Sequence, residues 1–137
     1  MNAVSFLAVN AGFQMVVSSL LGFFMLVPMQ PWGKGMVPKI NTKALLAAHL
    51  DWLMLGFMQW GAAFMMTTWP RTASIAVAGL LVFGGWTNPT PYILRGVGLN
   101  AFVLNGSWRQ RLAATIAGAS SVALLVAWIW LLVLFFR

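Results

Sequence analysis

The chain of 137 residues contains no cysteine, one acidic side chain (Asp51), one histidine (His49) and one tyrosine (Tyr92). Without thiols there is no disulfide framework and no thiolate metal site, and cysteine usage says nothing of redox compartment. One Asp and one His leave few groups for acid–base chemistry. Apolar residues dominate instead: 61% are hydrophobic, 7% are charged, and the mean hydropathy is +0.88. A soluble domain of this size has no way to hide that much apolar surface. The chain therefore reads as a single-domain integral membrane protein, all-α, with the lipid bilayer as its surroundings. The net charge of +7 invites a nucleic-acid reading. The eight basic residues form no binding stripe, however; they punctuate the ends of apolar runs, as membrane-flanking residues do. No nucleic-acid partner is expected.

A hydrocarbon core of ~30 Å needs ~20 helical residues. Four stretches approach that length within one domain over 1–137: about 4–27, 44–69, 72–94 and 110–136. The first stops at Pro28 and Pro31, and the second at Pro70 and Arg71. The third is cleanly apolar only to about Gly85, before the broken stretch Trp86-Thr87-Asn88-Pro89-Thr90-Pro91-Tyr92. A short connection at Pro70–Arg71 alternates with longer ones (Met29–Thr42 and Arg95–Arg111). That alternation predicts an up-down-up-down four-helix transmembrane bundle. The N-terminus lacks the basic start of a cleaved signal peptide, so targeting by the first helix is expected.

Lys34, Lys39, Lys43, Arg95, Arg109 and Arg111 fall on one side of these spans, and only Arg71 and Arg137 on the other. The positive-inside rule then puts the two long loops in the cytoplasm and both termini outside, as in a bacterial inner membrane. Trp32, Trp69 and Trp108 sit near the expected interfaces, where indoles anchor well.

His49 lies about two turns inside the second span, with Asp51 two residues on. An ionised group at that depth costs roughly 2.5–3.5 kcal/mol on the insertion scale, so each such residue needs a partner and marks a site. His49 suits a metal or haem ligand, a proton carrier, or a hydrogen-bonded tie between helices. Trp52, Leu53 and Gly56 share its helical face and leave room for a flat group. As the only histidine, it gives a haem one imidazole and an open iron face unless one of nine methionines fills it. Asp51 stands roughly 200° around the helix from His49 and faces a different partner, expected to be a cation.

Asn10, Gln14 and Ser18 form an i, i+4, i+8 ridge that ties the first helix to its neighbours. Ala113, Ala117 and Ser121, with Ala114 and Gly118, give the last helix small faces for close approach of another helix. In the Trp86–Tyr92 stretch two prolines remove backbone donors. Irregular backbone at membrane depth is tolerated only where it is buried in protein or lines a cavity. Asn88 and Tyr92, one turn apart, supply an amide and a phenol to such a cavity; the alternative is an interfacial aromatic at a helix end.

Ala48-His49 early in the second helix and Trp86-x-Asn88-x-x-x-Tyr92 after the third resemble styrene oxide isomerase. Ala48-His49-Leu50-Asp51 is also similar to the Ala-His-Leu-Glu stretch of hydroxylaminobenzene mutase, a related small membrane isomerase. The resemblance implies haem b held by His49 as axial ligand and packed by Trp52 and Gly56. It implies Tyr92 as the substrate-orienting phenol, a pocket shaped by Asn88 and Trp86, and a homotrimer with haem between subunits. One departure is Leu55, which stands where the family has a polar asparagine beside the retained glycine, Gly56. Leu55 thus enters the substrate pocket as an apolar replacement.

The implied chemistry is a redox-neutral rearrangement of a small aromatic substrate. Ferric haem acts as Lewis acid on an epoxide oxygen, a 1,2-hydride shift follows, and an aryl acetaldehyde leaves. In the mutase variant a hydroxylaminoarene becomes an aminophenol. Two other readings stand beside these. One is a non-enzymatic membrane subunit with a structural His49; the other is a transporter using His49 and Asp51, for which one acid offers little ion coupling.

Overall fold

A computed structural model of the chain describes residues 1–34 and 40–137. Lys39, counted above among the cations of the first long loop, lies outside the described residues. Helices α1 (Ala3–Phe24), α2 (Thr42–Thr68), α3 (Ile75–Thr87), α4 (Thr90–Gly96) and α5 (Trp108–Phe136) make up the fold, and the described residues contain no strand. Each long helix starts where a polar side chain can take an orphan backbone N–H. The side chain of Asn2 accepts from Ser5, that of Asn41 from Ala44, and that of Ser74 from Val77. Ser107 and Gln110 form a reciprocal capping box on α5. Prolines supply the stops: Pro28 and Pro70 sit in single 3-10 turns after α1 and α2.

The Trp86–Tyr92 stretch is more regular than its two prolines suggest. Helix α3 runs through Trp86 to Thr87, the Asn88 N–H still reaches the Gly84 carbonyl at 2.9 Å, and α4 begins at Thr90. Only Asn88 and Pro89 lie between the two helices. Proline is tolerated in a first helical turn, where its missing N–H has no partner to lose.

Small residues bring the helices together. Against α1, Gly56 of α2 leaves so little space that a Cβ there would meet the Met15 methyl at 2.9 Å and the Ala11 carbonyl at 3.4 Å. Gly84 of α3 lies over Ser120 and Leu124 of α5. The core is rich in alanine, with Leu7, Ala62, Ala63, Met66, Val77, Ala78, Leu81, Ala127 and Leu131 buried together. At one end Trp69 meets Phe135 edge-on, with ring centroids 5.0 Å apart, and Arg71 stands over the same ring. At the other end the Asn41 N–H bonds to the Gly96 carbonyl at 3.0 Å, joining the start of α2 to the end of α4.

The outer surface is apolar. Phe13, Val16, Leu20 and Phe23 of α1 and Val122, Leu125, Ile129 and Val133 of α5 are exposed, which water would penalise heavily. Two helical stretches, Ala3–Met29 and Trp108–Phe136, are long and apolar enough to cross a membrane. Helix α2, with 27 residues, is as long as the first of these, but Lys43, His49, Asp51 and Gln59 interrupt it; α3 alone has 13 residues.

Candidate functional site

The polar ridge of α1 fixes the centre of the molecule, and each of its members has a separate partner. Asn10 Oδ1 accepts from the Trp86 indole at 3.3 Å. Gln14 Oε1 accepts from Gln59 Nε2 at 2.7 Å, and both glutamines are fully buried. Gly85 makes room for this amide pair, since a Cβ there would press on Gln59 Nε2 and Gln14 Nε2. Ser18 takes His49.

The His49–Ser18 contact is reciprocal. Nδ1 of His49 lies 2.7 Å from the Ser18 carbonyl and 2.9 Å from its hydroxyl, while the hydroxyl donates to the His49 carbonyl at 2.7 Å. A carbonyl only accepts, so in the neutral ring Nδ1 carries the hydrogen and Nε2 keeps its lone pair. Among the described residues Nε2 has no hydrogen-bond partner. His49 lines a cleft of about 350 Å³ with Gly22, Met25, Leu26, Met29, Thr42, Lys43 and Leu46.

Gly22 continues the ridge by one more step of four and abuts the imidazole. A Cβ there would stand 2.9 Å from Cε1 and 3.3 Å from Nδ1. Gly22→Ala is therefore expected to lower the apparent melting midpoint in detergent, at an overpacking cost of about 1–3 kcal/mol. Gly12→Ala, ten residues earlier on the same helix, meets nothing within 4 Å. It should raise the midpoint through a helix-propensity gain of about 0.5–1 kcal/mol. A fall in both variants would show that space at His49 is not the cause.

Asp51 has an amide partner in place of the expected cation: its Oδ2 accepts from Asn88 Nδ2 at 3.1 Å. Asn88 Oδ1 in turn accepts from the hydroxyls of Ser120 at 3.2 Å and Ser121 at 3.0 Å. This relay from α2 to α5 is what fixes the joint between α3 and α4. Tyr92 lies one turn further, in α4. With Asn88, Phe102, Leu104, Ala114, Gly118 and Ser121 it lines a cavity of about 410 Å³. Its ring meets Phe102 edge-on, with centroids 4.9 Å apart.

Within one chain His49 and Tyr92 line different spaces, with Lys43 bordering both the His49 cleft and a smaller cleft at Tyr92. Tyr92 and Asn88 share the 410 Å³ cavity, whereas His49 opens on the cleft between α1 and α2. Trp86 faces α1 through Asn10 and packs edge-on against Trp52, with centroids 6.2 Å apart, so neither indole lines either space. Gly56 is occupied by the α1 crossing, and Leu55 is buried away from both spaces. The residues that do surround the imidazole went unnoticed in the sequence, although the i+4 step from Ser18 to Gly22 was there to be read. Phe102 carried no such signal, because a loop folded over α4 brings it to Tyr92. Of the five-membered small face of α5, Ala114, Ala117, Gly118 and Ser121 border the Tyr92 cavity, while Ala113 is buried away from it.

Among the described residues no three His, Asp or Glu side chains come together, so a bare metal ion finds no set of such ligands. Comparison with known proteins returned no matching family model, no matching curated protein and no matching solved structure.

Proposed function

We propose that the chain is a multi-pass membrane isomerase that holds haem b through His49 and rearranges a small aromatic epoxide to an aryl acetaldehyde. In this reading α1, α2, the bent pair α3–α4 and α5 are the four spans. The cation-rich loops face the cytoplasm of a bacterial inner membrane. The observation that carries the reading is the tethered imidazole. A metal-ligating histidine almost always gives its second ring N–H to a carbonyl or carboxylate, and the Ser18 carbonyl is such an acceptor for Nδ1. The residues fit the group. A haem needs one protein ligand on an open-faced iron, and the cleft around His49 is lined by leucines and thioethers, with Gly22 hard against the ring.

The separation of His49 from Tyr92 supports a homo-oligomer, a trimer by the resemblance above, in which one protomer's Tyr92 works beside the next protomer's His49. When bound, ferric haem supplies a Lewis acid for the substrate oxygen. The chain's own residues do the rest. Ser18 holds the imidazole in one orientation, and the Tyr92 phenol donates to the substrate oxygen. Asn88, whose amide is engaged by Asp51 and the two serines, shapes the wall. Phe102, Leu104 and Ala114 make that wall apolar, and exclusion of water suppresses diol formation. The mutase reaction on a hydroxylaminoarene uses the same groups.

A second reading draws on the same contact. Bonds from Ser18 to both the ring and the backbone of His49 also suit a structural tie in a non-enzymatic subunit. The absorption spectrum of the detergent-purified protein, produced with haem in supply, separates the two. A Soret band at one haem per chain is expected; colourless protein overturns the isomerase reading.

A further inference from the structure

Eight basic side chains share this chain with one acid, and Asp51 is already bound to Asn88. Two of the cations converge. Lys43 and Arg95 line a cleft of about 220 Å³ with Asn41, Ala44, Ala47 and Tyr92. Lys43 also lines the cleft of His49, so a single side chain borders both spaces. It sits in the first turn of α2, six residues before His49, which is roughly 9 Å along the helix axis. Arg95 lies in the last turn of α4, with its guanidinium 5.8 Å from the centre of the Phe102 ring. Two cations lining one small cleft, with no acidic side chain to neutralise them, call for an oxyanion from outside the chain.

We propose that Lys43 and Arg95 form a carboxylate site for the two acid arms of the porphyrin. This rests on the reading of His49 as its axial ligand. The alternative source of an oxyanion is a lipid phosphate. The porphyrin is favoured because Lys43 shares a cleft with the imidazole, and because a group ligated at His49 extends about as far as the first turn of α2. Arms and iron would then be gripped separately, with the carboxylates fixing the rotation of the ring in its cleft.

The test titrates haem-free protein in phosphatidylcholine nanodiscs with haemin and with haemin dimethyl ester, following the Soret band. Wild-type protein should bind the diacid about ten-fold more tightly than the ester. In the Lys43→Gln/Arg95→Gln double variant that ratio should fall to near one, with ester affinity and band position unchanged. Lys43→Arg should keep most of the preference. A wild-type ratio near one, or a ratio that survives the double substitution, overturns the proposal while leaving His49 ligation intact. Failure of wild-type protein to bind either porphyrin overturns the ligation reading and this proposal with it. Stabilisation by added phosphatidylglycerol that the double variant loses, with no preference for the diacid, assigns the two cations to lipid.

Discussion

His49→Ala is expected to abolish the Soret band of the purified protein while leaving its helical content and oligomeric state unchanged. The chain has no second imidazole to take over, and an axial ligand lost from a b-type haem is not replaced by a covalent link. The structural cost of the substitution is small by comparison. Deleting the ring removes the Nδ1 bond to the Ser18 carbonyl and frees one acceptor of the Ser18 hydroxyl. Interhelical hydrogen bonds in membranes contribute only about 0.6–2 kcal/mol. The Ser18 hydroxyl still has the His49 backbone carbonyl, a bond that alanine preserves. Colour and fold are thus separable in this variant, and far-UV circular dichroism reports the fold independently. The hole left beside Gly22 has the shape of the missing ring, so free imidazole in the buffer should restore the band. A spectrum unchanged by His49→Ala would remove His49 as the ligand.

The all-helical architecture was legible because long apolar runs and the prolines that stop them mark helices in the sequence, and two of the four expected spans, Ala3–Met29 and Trp108–Phe136, are long and apolar enough to cross a membrane. Pro28 and Pro70, read as stops, stand just beyond α1 and α2, whereas the capping side chains of Asn2, Asn41, Ser74 and Ser107, each one position before a helix, were there to be read and were not. The ridge of Asn10, Gln14 and Ser18 was legible as well. At a period of four, polar groups on an apolar helix must meet partners on other helices, and Trp86, Gln59 and His49 are those partners.

What escaped the sequence depended on which way a side chain turned. Asp51 was expected to find a cation because charge suggests charge, but the residue opposite it is Asn88, delivered by the joint after α3. Trp52 and Gly56 share a helical face with His49 in projection, yet α1 crosses α2 closely enough at Gly56 to fill that face. The cleft opens instead toward the start of α2, where Thr42, Lys43 and Leu46 meet the end of α1. Crossing positions of two helices depend on which small residues touch, and α1 and α2 offer several candidates. Periodicity names the face but leaves the level of the crossing open.

Tyr92→Phe is expected to lower turnover of styrene oxide about a hundred-fold at unchanged haem content. In the proposed reaction the phenol contributes a single hydrogen bond to the oxygen on which charge develops, and removal of one such donor typically costs ~10²–10³ in rate. Phenylalanine keeps the edge-on contact with Phe102 and the van der Waals lining of the cavity, so the fold has no reason to respond. Equal loss of haem and turnover would mean that Tyr92 serves folding. The same variant locates the site. If Tyr92 serves the haem of its own chain, mixed oligomers of His49→Ala and Tyr92→Phe chains contain no intact site. If it serves the neighbour's, random mixing in a cyclic oligomer rebuilds an intact pair at roughly a quarter of the interfaces. Co-expressed chains should therefore recover about that share of wild-type turnover, against near zero for either variant alone. None of the three spaces described is lined by both His49 and Tyr92 of one protomer, which makes recovery the expected result. An inactive mixture would mean that Tyr92 serves the haem of its own chain.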